Sequence, residues 1–238
     1  LLLNSRINTL IVGNFPEVLP FPKNLLFSIF KSKDVSKTAN DDQHISFKQL
    51  LNNDGVVSEV EIDPKEDIAV LQYTGGTTGV SKGAMLTHSN IYSNVIQEAL
   101  WFPGFNFGQE SVMAVLPFFH VFAMTVVMNL GIYKGAKLIM HPRFELVPVL
   151  KDIHTKHPTF MAGVPSMYNA ILNNPNLSKY NLNSLKACIS GGAPLPLDVK
   201  KGFERLTGCT LVEGYGLTET APVACANPMD GENKENSV

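Results

Sequence analysis

The run Tyr73-Thr-Gly-Gly-Thr-Thr-Gly-Val-Ser-Lys-Gly83 gathers residue types that suit a polyphosphate. Thr74, Gly75, Gly76, Thr77, Thr78 and Gly79 offer backbone N–H groups unobstructed by large side chains and three interleaved hydroxyls, with Lys82 close behind. Neither standard phosphate fingerprint fits. Counting from Gly76, the pattern GxxxxGK[ST] requires Gly where Ser81 stands and Ser or Thr where Gly83 stands. The dinucleotide pattern GxGxxG fails because Gly75 and Gly76 are adjacent with no third glycine in place. The same spacing suits a flexible hairpin connection.

Three further runs carry chemistry. Val115-Leu-Pro-Phe-Phe-His-Val-Phe122 sets His120 in an apolar stretch, where a histidine is either a hydrogen-bonded core residue or a functional one. Ser190-Gly-Gly-Ala-Pro194 offers bare backbone at Gly191 and Gly192. Glu213-Gly-Tyr-Gly-Leu-Thr-Glu-Thr220 combines an aromatic face, two threonine hydroxyls and two carboxylates. Outside its motif, Tyr215 would be an ordinary half-buried tyrosine. His154 and His157 at a helix end have no Glu or Cys cluster beside them, so a metal reading is set aside. Lys31, Lys33 and Lys37 read as a solvated loop.

These residues need a scaffold, and 238 residues with 45% hydrophobic content can fill a substantial core. With 17% charged residues and a net charge of -2, there is no field to draw nucleic acid, so a small-molecule partner is expected. Cys188, Cys209 and Cys225 are odd in number and outside any CxxC pattern, which suits a reduced, cytoplasmic setting. Ser111 to Tyr133 lacks Asp, Glu, Lys and Arg, but Pro117, His120, Asn129 and Gly131 interrupt it. It reads as a buried strand followed by a buried helix. The chain does not begin with Met and looks like a piece of something longer.

Asn4 to Leu26, with Pro16, Pro20 and Pro22, predicts a strand and an irregular connection, and Lys31 to His44 a surface loop. After the charged boundary Ile62–Asp67 the pattern alternates. A buried strand is expected at Ile68–Tyr73, and further strands at Val112–Leu116, Ala136–Met140, Thr159–Ala162, Leu185–Ser190 and Cys209–Val212. Helices are expected at Ser89–Leu100, Pro148–His157, Val164–Asn173 and Pro196–Leu206. Strand–helix alternation implies an α/β fold with a parallel sheet, in which ligands bind at the carboxyl ends of strands.

Taken in order, the four motifs resemble those of the adenylate-forming superfamily of acyl-CoA synthetases, luciferases and peptide-synthetase adenylation domains. The Gly75-Gly76 form of the first loop and its context from Leu71 to His88 look like bacterial long-chain fatty acid CoA ligases. The resemblance is strongest from Asp67 to Pro228. It implies mostly parallel sheet layers flanked by helices, part of the large AMP-binding domain. Residues 1–64 would be the trailing part of an upstream subdomain with a connecting loop, and 65–238 the central AMP-binding subdomain.

The implied activity is ATP-dependent conversion of a long-chain fatty acid to acyl-AMP, followed by transfer to CoA. By resemblance Thr74 to Gly79 surround the β- and γ-phosphates, Thr218 meets the α-phosphate, Glu219 binds Mg²⁺, and Lys82 joins Thr218 and His120 as a catalytic candidate. Gly191, Gly192, Ala193, Glu213, Gly214, Tyr215, Gly216 and Leu217 form the adenine pocket. His120 positions the substrate carboxylate. Phe118, Phe119, Phe122 and Met124 either line an acyl tunnel or are plain core. Peripheral association with the inner face of a membrane follows only by analogy. The family's ribose-binding Asp, hinge and C-terminal lysine would lie beyond Val238. An aryl acid ligase, a carrier-protein-loading enzyme and a non-catalytic nucleotide-binding module stay open as alternatives.

Overall fold

The computed structural model describes residues 6–35, 39, 41–74, 79, 81–234 and 237–238. The chain divides between Glu61 and Ile62 into two compact units. In the first, β1 (Leu10–Val12) pairs in parallel with β2 (His44–Ser46), Leu10 opposite His44. Between them lies α1 (Lys23–Phe30), and α2 (Phe47–Leu50) follows. Helix α1 begins directly after Pro22 and runs for 8 residues. An irregular connection was the expectation for its first residues. Proline bars the helix interior but not its start, so the helix forms as soon as the prolines end.

The second unit opens with a hairpin of β3 (Ile68–Thr74) and β4 (Lys82–Thr87), antiparallel, with Thr74 opposite Lys82. The α-helix α3 (His88–Trp101) starts on a capping box: the Thr87 hydroxyl accepts the Asn90 N–H at 3.2 Å, and Asn90 Oδ1 accepts the Thr87 N–H at 3.0 Å. There follow β5 (Ser111–Ala114), a stretch of π-helix over Ala123–Asn129, and α4 (Leu130–Tyr133). Then β6 (Lys137–Met140), α5 (Leu146–Lys156), β7 (Phe160–Gly163) and α6 (Pro165–Leu172) alternate. The unit closes with β8 (Ala187–Ser190), α7 (Leu197–Thr207), β9 (Thr210–Gly216) and β10 (Val223–Ala226).

Six of these strands form one sheet in the order β10-β9-β8-β7-β5-β6. All neighbours pair in parallel except β10, which returns antiparallel along β9 at the edge. Side chains alternate between the faces with period two. Met113 and Met161 join Val149, Leu150, Ile153, Tyr168, Ile171 and Phe203, so α5, α6 and α7 cover one face. Val112, Ala114, Phe160 and Ala162 join Val95, Ala99, Val126, Val127 and Leu130, so α3 and the 123–133 helical stretch cover the other. With both faces covered, β7 is buried at every residue, which is why these strands read as continuous apolar runs.

Two expectations need correcting. Ile68–Tyr73 is a strand but not a buried one: Ile68, Leu71 and Tyr73 are exposed, and among the described residues β3 pairs with β4 alone, outside the parallel sheet. The strand expected at Cys209–Val212 runs on through the glycines of the 213–220 motif to Gly216, because β10 supplies an antiparallel partner for Gly214, Tyr215 and Gly216. The uncharged Ser111–Tyr133 segment divides into β5 and a buried helix as expected. No helix of the described residues is long and apolar enough to cross a membrane.

Candidate active site

Chain order and strand order disagree at one place. From β5 the chain steps to β6 on one side, then crosses back over β5 to β7, β8 and β9 on the other. Connections therefore diverge between β5 and β7, leaving a crevice at the carboxyl ends of the strands. The segments leaving β5 and β8, together with the extended end of β9, bring the chemistry there. A cavity of about 370 Å³ is walled by Thr74, His120, Phe122, Gly191, Gly192 and Gly214 to Glu219, with Val121, Ile189, Pro222 and Val223.

Each wall has a local cause. After β5, Pro117 turns the chain and its carbonyl accepts the His120 N–H at 3.0 Å. His120 Nδ1 accepts the Phe122 N–H at 3.2 Å, so in the neutral ring the proton sits on Nε2. After β8, the Gly191 N–H donates to the Gly163 carbonyl at 3.1 Å, and Gly192 takes φ +79°, a left-handed conformation that disfavours side chains. The loop is held down from β9: Glu213 Oε1 accepts the Leu195 N–H at 3.0 Å. Gly192, Ala193 and Glu213 to Gly216 also wall an adjoining cavity of about 480 Å³, to which Tyr215 belongs as well. Tyr215 is about half exposed, leaving its ring available as a flat surface.

Between β9 and β10 a 3-10 turn spans Thr218–Thr220. The Thr220 hydroxyl accepts the Leu217 N–H at 3.0 Å and bonds the Pro222 carbonyl, fixing the turn that presents Thr218 and Glu219. A Cβ on Gly216 would collide with that same Pro222 carbonyl, so glycine is required by close backbone approach.

The structure thus brings together Thr74, His120, Gly191, Gly192, Gly214, Tyr215, Gly216, Leu217, Thr218 and Glu219 in one wall, with Ala193 and Glu213 beside it. Lys82 stands apart. It is exposed at the start of β4, where its carbonyl accepts the Thr74 hydroxyl at 3.3 Å, and it is outside that wall. Gly75, Gly76, Thr77 and Thr78 lie outside the described residues. Of the four apolar candidates Phe122 lines the cavity, whereas Phe119 faces solvent and Phe118 and Met124 pack against core clusters. Ile189 in β8, Val223 in β10 and Pro222 just before β10 also line the cavity and carry no chemical signal in the sequence, being apolar residues in or beside short strands.

Comparison with known proteins bears on this geometry. Over 238 aligned residues the chain is 42% identical to the long-chain-fatty-acid–CoA ligase of Bacillus subtilis (strain 168), covering 98% of this chain and 42% of that protein. Against the long-chain-fatty-acid–CoA ligase of Escherichia coli O6:H1 it is 42% identical over 200 residues, covering 82% of this chain and 35% of that protein. The chain therefore spans less than half the length of these curated relatives. Among solved structures, ATP-bound MatB from Rhodopseudomonas palustris superposes with a TM-score of 0.70 at 30% identity, covering 78% of this chain and 36% of that one. The family model described as AMP-binding enzyme matches residues 4–238, and with the cleft at its expected place in the sheet, the chain belongs to that family.

Proposed function

We propose that this chain supplies the nucleotide- and carboxylate-binding cleft of an ATP-dependent long-chain fatty acid–CoA ligase. The observation that carries the reading is the convergence of His120, the Gly191-Gly192 backbone and the Gly214–Glu219 segment on one cavity. The ligase relatives and the ATP-bound neighbour support it. Three free cysteines fit the reduced cytoplasmic setting the reading assigns.

In the first half-reaction a carboxylate oxygen of the acid attacks the α-phosphorus of ATP. A new P–O bond forms, the bond to the β-phosphate bridging oxygen breaks, and pyrophosphate leaves with acyl-AMP remaining. Charge builds on the non-bridging oxygens, so preorganised donors lower the barrier. Thr218 supplies its hydroxyl from the fixed 3-10 turn, and Thr74 supplies another from the end of β3. Tyr215 lies against the base, with Gly191 and Gly192 admitting it to close backbone range. His120, its Nε2–H directed by the Nδ1 contact, orients the carboxylate. In the second half-reaction the CoA thiol displaces AMP at the acyl carbon.

Mg²⁺ fits this donor set. Among the described residues no group of three or more His, Cys, Asp and Glu forms an all-protein cage. One carboxylate, Glu219, beside the Thr218 hydroxyl suits a hard cation that keeps waters and phosphate oxygens as its other ligands. When bound, such an ion neutralises charge on the phosphates. Residues 1–64 are read as the end of an upstream subdomain and 65–238 as the AMP-binding core.

The test is exchange of labelled pyrophosphate into ATP by the protein in its full-length context. Exchange dependent on long-chain fatty acids is expected. Exchange with aromatic acids alone would replace the substrate class. No exchange, with ATP still bound, would make the chain a non-catalytic nucleotide module.

A further inference from the structure

Helix α3 carries an asparagine at its middle, where this residue is a poor helix former and is found mostly facing water. Asn94 is instead buried, against the first residue of β10. Its Nδ2 donates to the Val223 carbonyl at 2.9 Å and to Gln97 Oε1 at 3.3 Å, while its Oδ1 accepts the Val223 N–H at 3.2 Å. Both polar atoms of the side chain are engaged. A primary amide presents the donor and acceptor of a peptide group, so one side chain meets both backbone groups of Val223 as a neighbouring strand would.

What lies next to Val223 gives that contact its reach. Pro222, the residue before it, uses its carbonyl to accept the Leu217 N–H at 3.1 Å and the Thr220 hydroxyl. Leu217 and Thr220 bracket the 3-10 turn that presents Thr218 and Glu219 to the cleft. Gly216 approaches the same carbonyl so closely that a Cβ there would collide with it. A shift of Val223 is therefore passed on to the turn through packed backbone rather than absorbed. Asn94 itself is not among the residues walling the cleft.

Resting on the acyl-CoA ligase reading, we propose that Asn94 is a positioning residue for the adenylating step: by pinning Val223 and Pro222 to α3, it holds the Thr218 hydroxyl and the Glu219 carboxylate at the α-phosphate and its cation. It acts through Val223 and touches no substrate. Donors fixed in advance stabilise transition-state charge without reorganisation, so loosening them falls on the chemical step and on the Mg²⁺ requirement more than on binding of the acid. A second fastening supplies the comparison. Trp101 Nε1 also ties α3 down, donating to the Asn227 carbonyl at 3.2 Å, but at the other end of β10 from the turn.

The experiment follows pyrophosphate exchange by the full-length protein carrying Asn94→Ala or Trp101→Phe, as functions of fatty acid, ATP and Mg²⁺, with a thermal melt of each. Asn94→Ala should lower kcat by about tenfold and raise the half-saturating Mg²⁺ concentration by about threefold, with KM for the acid held within about twofold. Trp101→Phe should lower the melting temperature and leave all three kinetic values within about twofold. Kinetics unchanged in Asn94→Ala, or the same losses in Trp101→Phe, overturn the proposal, because fastening α3 anywhere would then suffice. Should Asn94→Ala not fold, Asn94→Asp, which keeps the acceptor for the Val223 N–H and loses the donor, must show the same pattern. If wild-type exchange is silent with every acid while ATP still binds, equilibrium binding of ATP with and without Mg²⁺ separates the two readings. Affinity weakened in the Asn94 variant only when Mg²⁺ is present upholds the positioning role while the ligase reading falls; equal affinity sinks both.

Discussion

At the scale of single residues, two glutamates, Glu213 and Glu98, show how placement decides what a carboxyl does. Glu213 ties the Gly191-Gly192 loop to β9 through the Leu195 N–H. Glu213→Ala leaves that N–H without its partner, and a cost of about 1–3 kcal/mol is expected, with KM for ATP rising more than kcat falls. Denaturant titration and steady-state kinetics read the two effects. Glu98 sits at the other extreme, its pKa raised from 4.5 to about 8 by burial alone. Below pH 4.5 the carboxyl is neutral in both folded and unfolded chains and costs nothing differential. Between 4.5 and 8 the unfolded chain has lost the proton that the folded one keeps, so stability falls as pH rises and levels off above 8. Cys225 is the other titratable side chain among the described residues that, with Glu98, wall a cavity of about 380 Å³ between α3 and β10. Glu98→Gln should flatten this slope and gain a few kcal/mol at pH 8 relative to the wild type, measured as urea midpoints at pH 5, 6.5 and 8. The residues gathered in the cleft were legible as candidates because the order of their motifs is distinctive. Glu98 was not: an acid among Asn, Gln and Ser on a helix reads as solvent-facing until the packing of β10 against α3 is known.

Elements are where sequence and structure part most clearly. The five strands of the parallel sheet and the helices between them were legible because burial on both faces writes an apolar run, and glycine or proline marks the ends. Strand β4 was not, because Lys82-Gly-Ala-Met-Leu-Thr87 has no long apolar run and carries Gly83 inside it, and its pairing with β3 is set by tertiary contact. Strand β10 is four residues, Val-Ala-Cys-Ala, too short for periodicity to register, yet it decides the geometry of the site by pairing with Gly214 to Gly216. Gly216→Ala tests that pairing. The added methyl meets the Pro222 carbonyl, so the β9–β10 turn must open, and a loss of about 2 kcal/mol or more is expected together with weakened ATP binding. A thermal melt and an ATP titration on the same variant check both; unchanged values in each would remove the turn from the account of the site.

For the second unit as a whole, the sheet's two covered faces make one core body beneath the cleft. Phe203 and Tyr168 meet edge to face with centroids 4.9 Å apart, both fully buried under α6 and α7. Phe203→Ala should cost about 3–5 kcal/mol, because the close-packed surroundings relax only in part around the space left. A urea midpoint shift of that size with unaltered ligand affinity in the folded protein would separate scaffold from site. The α/β class was legible in the alternation of patterns, but strand order was not, since parallel strands alike in composition carry no label for their neighbours. The cleft's location followed only once the divergence between β5 and β7 was known. The π-helical winding at Ala123–Asn129 has a bearing on sequence-length variation at this site. Its hydrogen bonds close over one more residue than those of an α-helix. A single-residue deletion there has somewhere to go: the stretch can tighten to ordinary α-helical winding while His120 and α4 keep their ends. The same deletion in α3 would turn everything beyond it by about 100°, so shortened descendants of this chain should tolerate a loss after Phe122 far better than one between Asn90 and Glu98.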